Sequence, residues 1–364
     1  RQTDWSSRPL RGILACGKAP ENQQMTDLTR RSVLAAGAVT GAAVLAAPAL
    51  AQIAASAPVP SLKGRSILVT GSSSGFGRLG ALLFARAGAK VFATMRGLPR
   101  PEASELAAIA AAESLDLTVL PLDVTSDQQA ADAIGEAERQ AGGALDVLVN
   151  NAGINIHGPV EVQDIAAMQL SFDTNVMGLQ RTTRAALPAM RARKSGLIVN
   201  VSSQVGRFVT PMGGVYSATK FAVESMSEQL AYELVAHGIE VCIIQPGGFP
   251  TSIGANRARL TAALAERTPE QHASGYPEAM AAMRARPPAG QPQAAAASPG
   301  RPDPEDVPRA MAEVIAMAPG TRPLRVPVHP GPKPQLEINR VSRETQLAVL
   351  GRGPWAEAAR AVHD

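Results

Sequence analysis

Apolar and polar residues alternate along this chain in segments of two lengths. From residue 65 onward, short runs rich in Val, Ile and Leu are separated by longer segments rich in Ala, Leu and charged residues. Short apolar runs are typical of strands buried on both faces, and the longer segments are typical of helices. The pattern predicts an α/β fold, a doubly wound parallel sheet of about seven strands with helices on both faces. The predicted strands are 66–70, 90–95, 118–122, 147–150, 197–201, 239–245 and 324–328.

Helices are predicted between these strands, and one stretch departs from the alternation. The predicted helices are 77–87, 126–141, 178–193, 216–237 and 304–317. The departing stretch, 256–304, is rich in Ala, Pro and Gln. A long insertion after the carboxyl end of a strand is where a doubly wound fold builds its substrate pocket, and low-complexity filler is the alternative. We therefore predict one domain over 62–364 with a flexible substrate-loop insertion at 256–304.

The segment 25–51 has the three parts of an export signal: a charged start, a mildly apolar stretch and a small-residue cleavage site. Arg30 and Arg31 precede the apolar stretch, and Ala-Leu-Ala at 49–51 supplies the cleavage site. Adjacent arginines indicate a twin-arginine (Tat) signal. We therefore predict a periplasmic protein, with retention in the cytoplasm as the alternative.

The residues on either side of this signal carry no chemistry. We predict that residues 1–24 are an unstructured leader or an upstream extension and that 52–61 form a linker. A membrane-spanning helix needs about 20 strongly apolar residues, whereas the run 33–50 contains Gly, Thr and Pro. No stable membrane span is predicted after processing.

Charge and cysteine usage exclude several classes of protein. The formal net charge is +4, and its arginines are scattered rather than clustered, which argues against nucleic-acid binding. The two cysteines, Cys16 and Cys242, predict no disulfide framework. No Cys and His spacing resembles a zinc site, so no metal is expected.

A glycine-rich turn follows the first predicted strand. Gly71, Gly75 and Gly77 have the spacing G-x-x-x-G-x-G and precede a helix. Glycines let backbone N–H groups approach a phosphate, and the helix N-terminus places partial positive charge beneath it. The turn predicts a dinucleotide site, with a Gly/Ser-rich turn of no function as the alternative.

The ends of the next two strands indicate which dinucleotide is bound. Folds that prefer NAD carry Asp or Glu about 20 residues after the glycine turn, but here the second strand ends at Arg96. A guanidinium suits a 2′-phosphate, so NADP(H) is favoured over NAD(H), unless Arg96 is a solvated loop residue. Asp123, at the end of the third strand, is placed to accept from the adenine amino group, unless it is a turn carboxylate.

Tyr216 and Lys220 are four residues apart in a predicted helix, so their side chains share a face. An ammonium favours the ionised form of a phenol whose ordinary pKa is about 10, which makes Tyr216 a candidate acid and base. A surface pair is the alternative. Ser203, thirteen residues before Tyr216, is placed to hold a substrate oxygen, and Ser202 competes for this role. Asn175 is a candidate to hold a water through which Lys220 exchanges protons, unless it is a structural Asn.

These motifs together resemble one family. The order T-G-x-x-x-G-x-G, N-N-A-G, a helical Asn, a Ser thirteen residues before a Tyr, and Y-x-x-x-K resembles non-extended members of the short-chain dehydrogenase/reductase family over 62–328. The resemblance implies a Rossmann-type fold and hydride transfer between a nicotinamide dinucleotide and a carbonyl or alcohol. It also implies that Pro246 and Gly247 lie beside the nicotinamide, with Thr251 placed to bind its carboxamide.

The resemblance and the residues together give a complete predicted site. The implied catalytic tetrad is Asn175, Ser203, Tyr216 and Lys220. The predicted cofactor-binding residues are Gly71, Ser73, Ser74, Gly75, Phe76, Gly77, Arg96, Asp123, Val124, Asn151, Ala152, Gly153, Tyr216, Lys220, Pro246, Gly247, Phe249 and Thr251.

The substrate is the least determined part of the prediction. Phe208, Met212, Phe249 and the insertion indicate an apolar pocket for a small carbonyl or alcohol substrate. Two other functions stay open, a non-catalytic dinucleotide sensor and a nucleotide-sugar epimerase, although the tetrad and the glycine spacing argue against them. The expected assembly is a homodimer or a homotetramer.

Overall fold

The computed structural model describes residues 58–285 and 302–363. The predicted leader 1–24 and export signal 25–51 lie outside the described residues, as do most of the linker 52–61 and residues 286–301 of the predicted insertion.

Seven strands form one parallel sheet in the order β3-β2-β1-β4-β5-β6-β7. The strands are β1 (Ser66–Val69), β2 (Lys90–Met95), β3 (Leu117–Pro121), β4 (Val147–Asn150), β5 (Gly196–Val201), β6 (Ile239–Pro246) and β7 (Arg325–Val328). This confirms the predicted Rossmann-type sheet. The order in which the strands follow along the chain reverses between β1 and β4. A crevice therefore opens at the carboxyl ends of these two strands, where doubly wound sheets bind ligands.

Helices connect the strands and cover the sheet. They are α1 (Gly75–Arg86), α2 (Pro101–Ala112), α3 (Asp127–Ala141), α4 (Ile165–Phe172), α5 (Gly178–Arg193), α6 (Gly214–Leu234), α7 (Ile253–Arg267), α8 (Glu270–Ala273), α9 (Pro277–Arg284), α10 (Asp306–Ala316), α11 (Gln335–Leu350) and α12 (Ala356–His363). A π-helix, Asp173–Met177, joins α4 to α5. None of the helices in the described ranges is long and apolar enough to cross a membrane.

The strands are buried on both faces, as their continuous apolar composition predicts. Ile67 and Val69 of β1 pack in one core cluster with α1 and α10, whereas Leu68 between them packs in a second cluster with α5 and α6. This division follows from the two-residue period of a strand, which points successive side chains to opposite faces. Helices therefore pack on both faces of the sheet, and side chains at its carboxyl edge extend from a well-packed core.

The described part of the predicted insertion is helical. Helices α7, α8 and α9 occupy most of 253–284. They form a third core cluster in which Leu264, Met280 and Met283 pack against Ile156 and Val162 of the loop after β4. Composition alone missed these helices because their apolar faces are short and only the loop after β4 completes their core.

Candidate active site

The glycine turn between β1 and α1 is shaped by close approach of the backbone. Gly71 and Gly75 have φ angles of +73° and +55°, a region that L side chains rarely adopt. A Cβ at Gly77 would lie 2.4 Å from the Gly71 carbonyl oxygen and 2.5 Å from Nδ2 of Asn151. A Cβ at Gly75 would meet only Thr251, at 3.6 Å or more. The first turn of α1 is therefore pressed against the loop, while the backbone of Gly75 is open to the crevice.

The end of β4 supports this turn. Thr70 Oγ1 accepts from the backbone N–H groups of Asn151 and Ala152, both at 2.9 Å. Asn151 Nδ2 donates to the Thr70 carbonyl at 2.9 Å. The Asn151 amide, predicted to bind the cofactor, thus holds the glycine turn against β4, and Asn151 also forms part of the cavity wall.

The ends of β2 and β3 bring Arg96 and Asp123 to one end of the crevice. Asp123 Oδ1 accepts from the backbone N–H and the hydroxyl of Thr125, at 3.0 and 2.8 Å. This oxygen therefore stabilises the turn after β3, as the alternative prediction of a turn carboxylate states. Burial raises the pKa of Asp123, but these hydrogen bonds outweigh it and the pKa is lowered. Val124 follows it and is buried. Asp123 is therefore an ionised acceptor whose second oxygen is available to a ligand.

Arg96 is exposed, and although its backbone carbonyl accepts from Arg100 Nη1 at 3.3 Å, its guanidinium makes no hydrogen bond or ion pair with another described residue. The neighbouring Arg100 is paired with Glu102 at 2.8 Å. Of these two cations, Arg96 is the one whose guanidinium is free to meet a phosphate.

Helix α6 presents Tyr216 and Lys220 to the opposite end of the crevice. Lys220 is buried, its Nζ donates to the Val201 carbonyl at 2.8 Å, and it lies 5.7 Å from the Tyr216 ring centroid. Burial lowers the pKa of Lys220 to about 8, although Glu224 opposes this shift. Burial also raises the pKa of Tyr216 to about 12, and Ser203 only partly offsets it. Without a cofactor the protein therefore keeps Tyr216 protonated at neutral pH.

The two serines after β5 face different surroundings. Ser203 Oγ lies beside Tyr216, accepts from the Val205 backbone at 3.3 Å and donates to the Pro246 carbonyl at 3.4 Å. Ser202 Oγ is buried without a partner among the described residues, and a Cβ at Gly206 would lie 2.7 Å from it. Ser203 is therefore the serine whose hydroxyl lies beside the hydroxyl of Tyr216.

Asn175 lies in the π-helix and outside the cavity lining. Its Oδ1 accepts from the Ile154 backbone at 2.8 Å, and its Nδ2 donates to the Ile154 carbonyl and to Thr219, at 2.9 and 3.0 Å. A Cβ at Gly153 would lie 3.3 Å from Asn175 Oδ1 and 3.8 Å from Lys220 Nζ. The hydrogen bonds of the Asn175 amide thus hold in place the loop that passes over Lys220.

The loop after β6 closes the crevice near Tyr216. The Phe249 ring packs edge-on against Phe76, with centroids 5.6 Å apart, and against His329, with centroids 5.5 Å apart. His329 follows β7 and was not predicted, because nothing local in the sequence connects it to Phe249. Pro246, Gly247 and Thr251 line the same part of the crevice.

These parts enclose one cavity of about 440 Å³. Of the predicted site residues in the described ranges, Gly77 and Asn175 do not line it, because they support the glycine turn and the loop after β4. Phe208 and Met212, predicted as apolar pocket residues, also lie outside it. The prediction missed Asn155, His157 and Arg257. The open glycine backbone, the free Asp123 oxygen and the unpaired Arg96 fit a dinucleotide lying along the cavity toward Tyr216.

Comparison with known proteins agrees with this geometry. Residues 65–260 match the family model described as short chain dehydrogenase. The chain belongs to the short chain dehydrogenase family, as its motifs predict.

Two solved structures and one curated relative illustrate the range of similarity. The chain is 42% identical over 186 residues to retinol dehydrogenase 8 from Bos taurus, a match that covers 50% of this chain and 58% of that protein, less than two thirds of its length. A short-chain dehydrogenase from Streptomyces avermitilis is 29% identical, with a TM-score of 0.57 and coverage of 81% and 98% of the two chains. A gluconate 5-dehydrogenase from Burkholderia cenocepacia, solved with NADP and tartrate, is 30% identical, with a TM-score of 0.50 and coverage of 57% and 82%.

Proposed function

We propose that this protein is an NADP(H)-dependent oxidoreductase that interconverts a carbonyl and an alcohol, with Tyr216 as general acid and base. The observation that carries the proposal is the position of the Tyr216 and Ser203 hydroxyls side by side in the cavity, next to the buried Lys220. Membership of the family and the NADP bound by the gluconate 5-dehydrogenase relative support it.

The roles of the side chains follow from their surroundings. When bound, the nicotinamide supplies or accepts a hydride at the substrate carbon. Ser203 donates to the substrate oxygen and holds it beside Tyr216. In reduction, Tyr216 gives its proton to that oxygen, and in oxidation it takes the proton back. Lys220, fixed by the Val201 carbonyl, places positive charge near the phenol and lowers the cost of its ionisation.

Substitution of the tyrosine tests this role. We expect Tyr216→Phe to lower kcat at least about 100-fold, because general acid–base catalysis contributes about 10²- to 10⁴-fold, and to leave the Kd for NADPH almost unchanged. The measurement is NADPH oxidation with a panel of aldehydes and ketones, together with a fluorescence titration of NADPH.

Tyr276→Phe is the matched control, because this tyrosine donates to Glu161 at the surface and does not line the cavity. A Tyr216→Phe enzyme as active as Tyr276→Phe would show that another group moves the proton.

Two finer features are also proposed. The substrate has an apolar body, because Ile154, Val205 and Leu260 line the cavity beside Tyr216, and retinol dehydrogenase 8, a relative, is named for an apolar alcohol. The protein is exported to the periplasm, because Arg30 and Arg31 precede the apolar run of a signal-like segment. Fractionation with N-terminal sequencing of the mature chain tests export, and an unprocessed cytoplasmic chain would contradict it.

A further inference from the structure

Helix α7 forms one wall of the substrate end of the cavity. Ile253, Asn256, Arg257 and Leu260 line the cavity at the spacing of a single helix face. Thr261, four residues after Arg257, accepts from the His157 backbone at 3.0 Å. Because residues four apart share a face, this bond turns Arg257 toward the loop that carries His157.

This wall is positively charged and has no neutralising partner. The Arg257 and Arg259 side chains line the cavity, and neither makes a hydrogen bond or ion pair with another described residue. Among the described residues that line the cavity, Asp123 is the one carboxylate, and it lies at the far end beside Arg96. The substrate end therefore carries cations without a protein counter-ion.

A second observation points to a polar ligand at the same wall. Asn155 is only 9% exposed and lines the cavity, and neither Oδ1 nor Nδ2 of its side-chain amide makes a hydrogen bond with another described residue, so Nδ2 is available to donate to a ligand oxygen. A buried amide is normally satisfied by protein, water or ligand. Burial and the nearby Arg257 lower the pKa of His157 to about 4, so its ring is neutral at pH 7 and offers hydrogen bonds without charge. An entirely apolar substrate would leave the buried Asn155 amide without a partner, whereas Arg257 and Arg259 are exposed and would keep their water.

We propose that Arg257, assisted by Asn155, His157 and Arg259, binds a carboxylate on the substrate. The substrate class is then an apolar carbonyl compound or alcohol that carries a carboxylate away from the reacting carbon. A guanidinium is suited to this role because it meets a carboxylate with two parallel hydrogen bonds. The inference rests on the proposed function, since it assigns the part of the substrate that lies beyond Tyr216.

The first test compares medium-chain oxo acids with their methyl esters, which share the reacting carbonyl but lack the charge. With NADPH, we expect kcat/KM to be about 10-fold or more higher for each acid than for its ester, as the loss of a charge-assisted hydrogen bond implies. Arg257→Gln should remove this preference by lowering kcat/KM for the acids only. Arg284→Gln is the control, because Arg284 is an exposed arginine of α9 that lies outside the cavity.

A binding measurement separates this inference from the proposed function. A medium-chain fatty acid is titrated by calorimetry into the NADP⁺ complexes of the wild type, Arg257→Gln and Arg284→Gln, and binding should weaken about 10-fold in Arg257→Gln alone. Equal kcat/KM for acids and esters, or equal effects of the two substitutions, would overturn the carboxylate site and leave the oxidoreductase proposal standing. Binding of the fatty acid through Arg257 without turnover of acid or ester would support the carboxylate site and overturn the oxidoreductase proposal. If the protein neither binds the fatty acid nor turns over any acid or ester, both proposals are overturned.

Discussion

At the scale of single residues, Tyr216 shows how burial changes a prediction made from spacing. The four-residue spacing places Lys220 near the phenol, and the structure confirms that proximity. However, the same burial that brings them together raises the pKa of Tyr216 to about 12 and lowers that of Lys220 to about 8. Without cofactor, Tyr216 is therefore protonated at neutral pH, which is the form that gives a proton to the substrate oxygen in reduction.

This protonation state predicts different pH dependences for the two directions. Alcohol oxidation needs ionised Tyr216, whose fraction rises about tenfold per pH unit below its pKa, so we expect the oxidation rate to rise from about pH 7 to at least about pH 9. Carbonyl reduction needs the protonated phenol and should not gain over this range. Initial rates at saturating cofactor in both directions provide the check. A flat oxidation profile would mean that Tyr216 is not the base.

Arg96 predicts the cofactor preference. We expect Arg96→Gln to lower kcat/KM for NADPH about 10- to 100-fold, the value of a charged hydrogen bond, and to leave kcat/KM for NADH almost unchanged. Arg100→Gln is the comparison, because its guanidinium is already paired with Glu102. If Arg100→Gln has the larger effect, the phosphate contact has been assigned to the wrong arginine.

At the scale of elements, the glycine turn is a contact between a loop and the first turn of α1. Gly71 and Gly77 meet so closely that a side chain at Gly77 would displace either the loop backbone or Asn151. The sequence predicts the turn from its spacing, and the structure shows that the third glycine packs against the Gly71 carbonyl and Asn151.

We therefore expect Gly77→Ala to cost about 1–3 kcal/mol of stability, as overpacking does, and to weaken NADPH binding because the turn must shift. Gly135→Ala in α3 is the matched control, since a Cβ there meets nothing within 4 Å and alanine favours a helix. Thermal unfolding and NADPH titration of both variants test this. An unchanged melting temperature for Gly77→Ala would contradict the close contact.

At the scale of the whole molecule, a buried ion cluster joins α6, the helix that carries Tyr216 and Lys220, to β7 and α12. Arg325 of β7 pairs with Glu224 and Glu228 of α6 at 2.8 and 2.5 Å, with all three side chains 10% exposed or less. His363 of α12 hydrogen-bonds Tyr232 of α6 at 2.7 Å. Burial raises the pKa of Glu228, but hydrogen bonds from His363, Arg325 and Tyr232 and the charge of Arg325 outweigh it and lower that pKa.

Removing the cation should destabilise the protein in a pH-dependent way. We expect Arg325→Met to cost about 3–5 kcal/mol at neutral pH, because it leaves two carboxylates buried without a counter-ion. Burial without a cation raises the pKa of a carboxylate, so these groups take up protons in the variant above the unfolded value of about 4.3, and the penalty should shrink as the pH falls toward that value. In the wild type the sign is opposite: the lowered pKa of Glu228 stabilises the fold above its unfolded pKa of about 4.3, and this contribution is lost as pH falls.

Urea unfolding at neutral and acidic pH measures both effects. Arg309→Met is the control, because Arg309 pairs with Asp303 and Glu305 at the surface and such pairs contribute about 0–1 kcal/mol. Equal losses for the two substitutions at neutral pH would show that the buried cluster does not hold these elements together.

The sequence by itself determined the features that depend on local periodicity. Strand positions followed from continuous apolar runs, the glycine turn from its spacing, and the shared face of Tyr216 and Lys220 from the helix repeat. These features survive because a strand or a helix imposes its period whatever surrounds it.

Tertiary structure decided everything that depends on partners distant in the chain. It placed Ser203 rather than Ser202 beside Tyr216, engaged the Asn175 amide with Ile154, and brought His329 against Phe249. It also placed α7, the helix that carries Arg257, in the wall of the cavity. Desolvation and hydrogen-bond partners are set by which segments pack together, so no local pattern in the sequence encodes them.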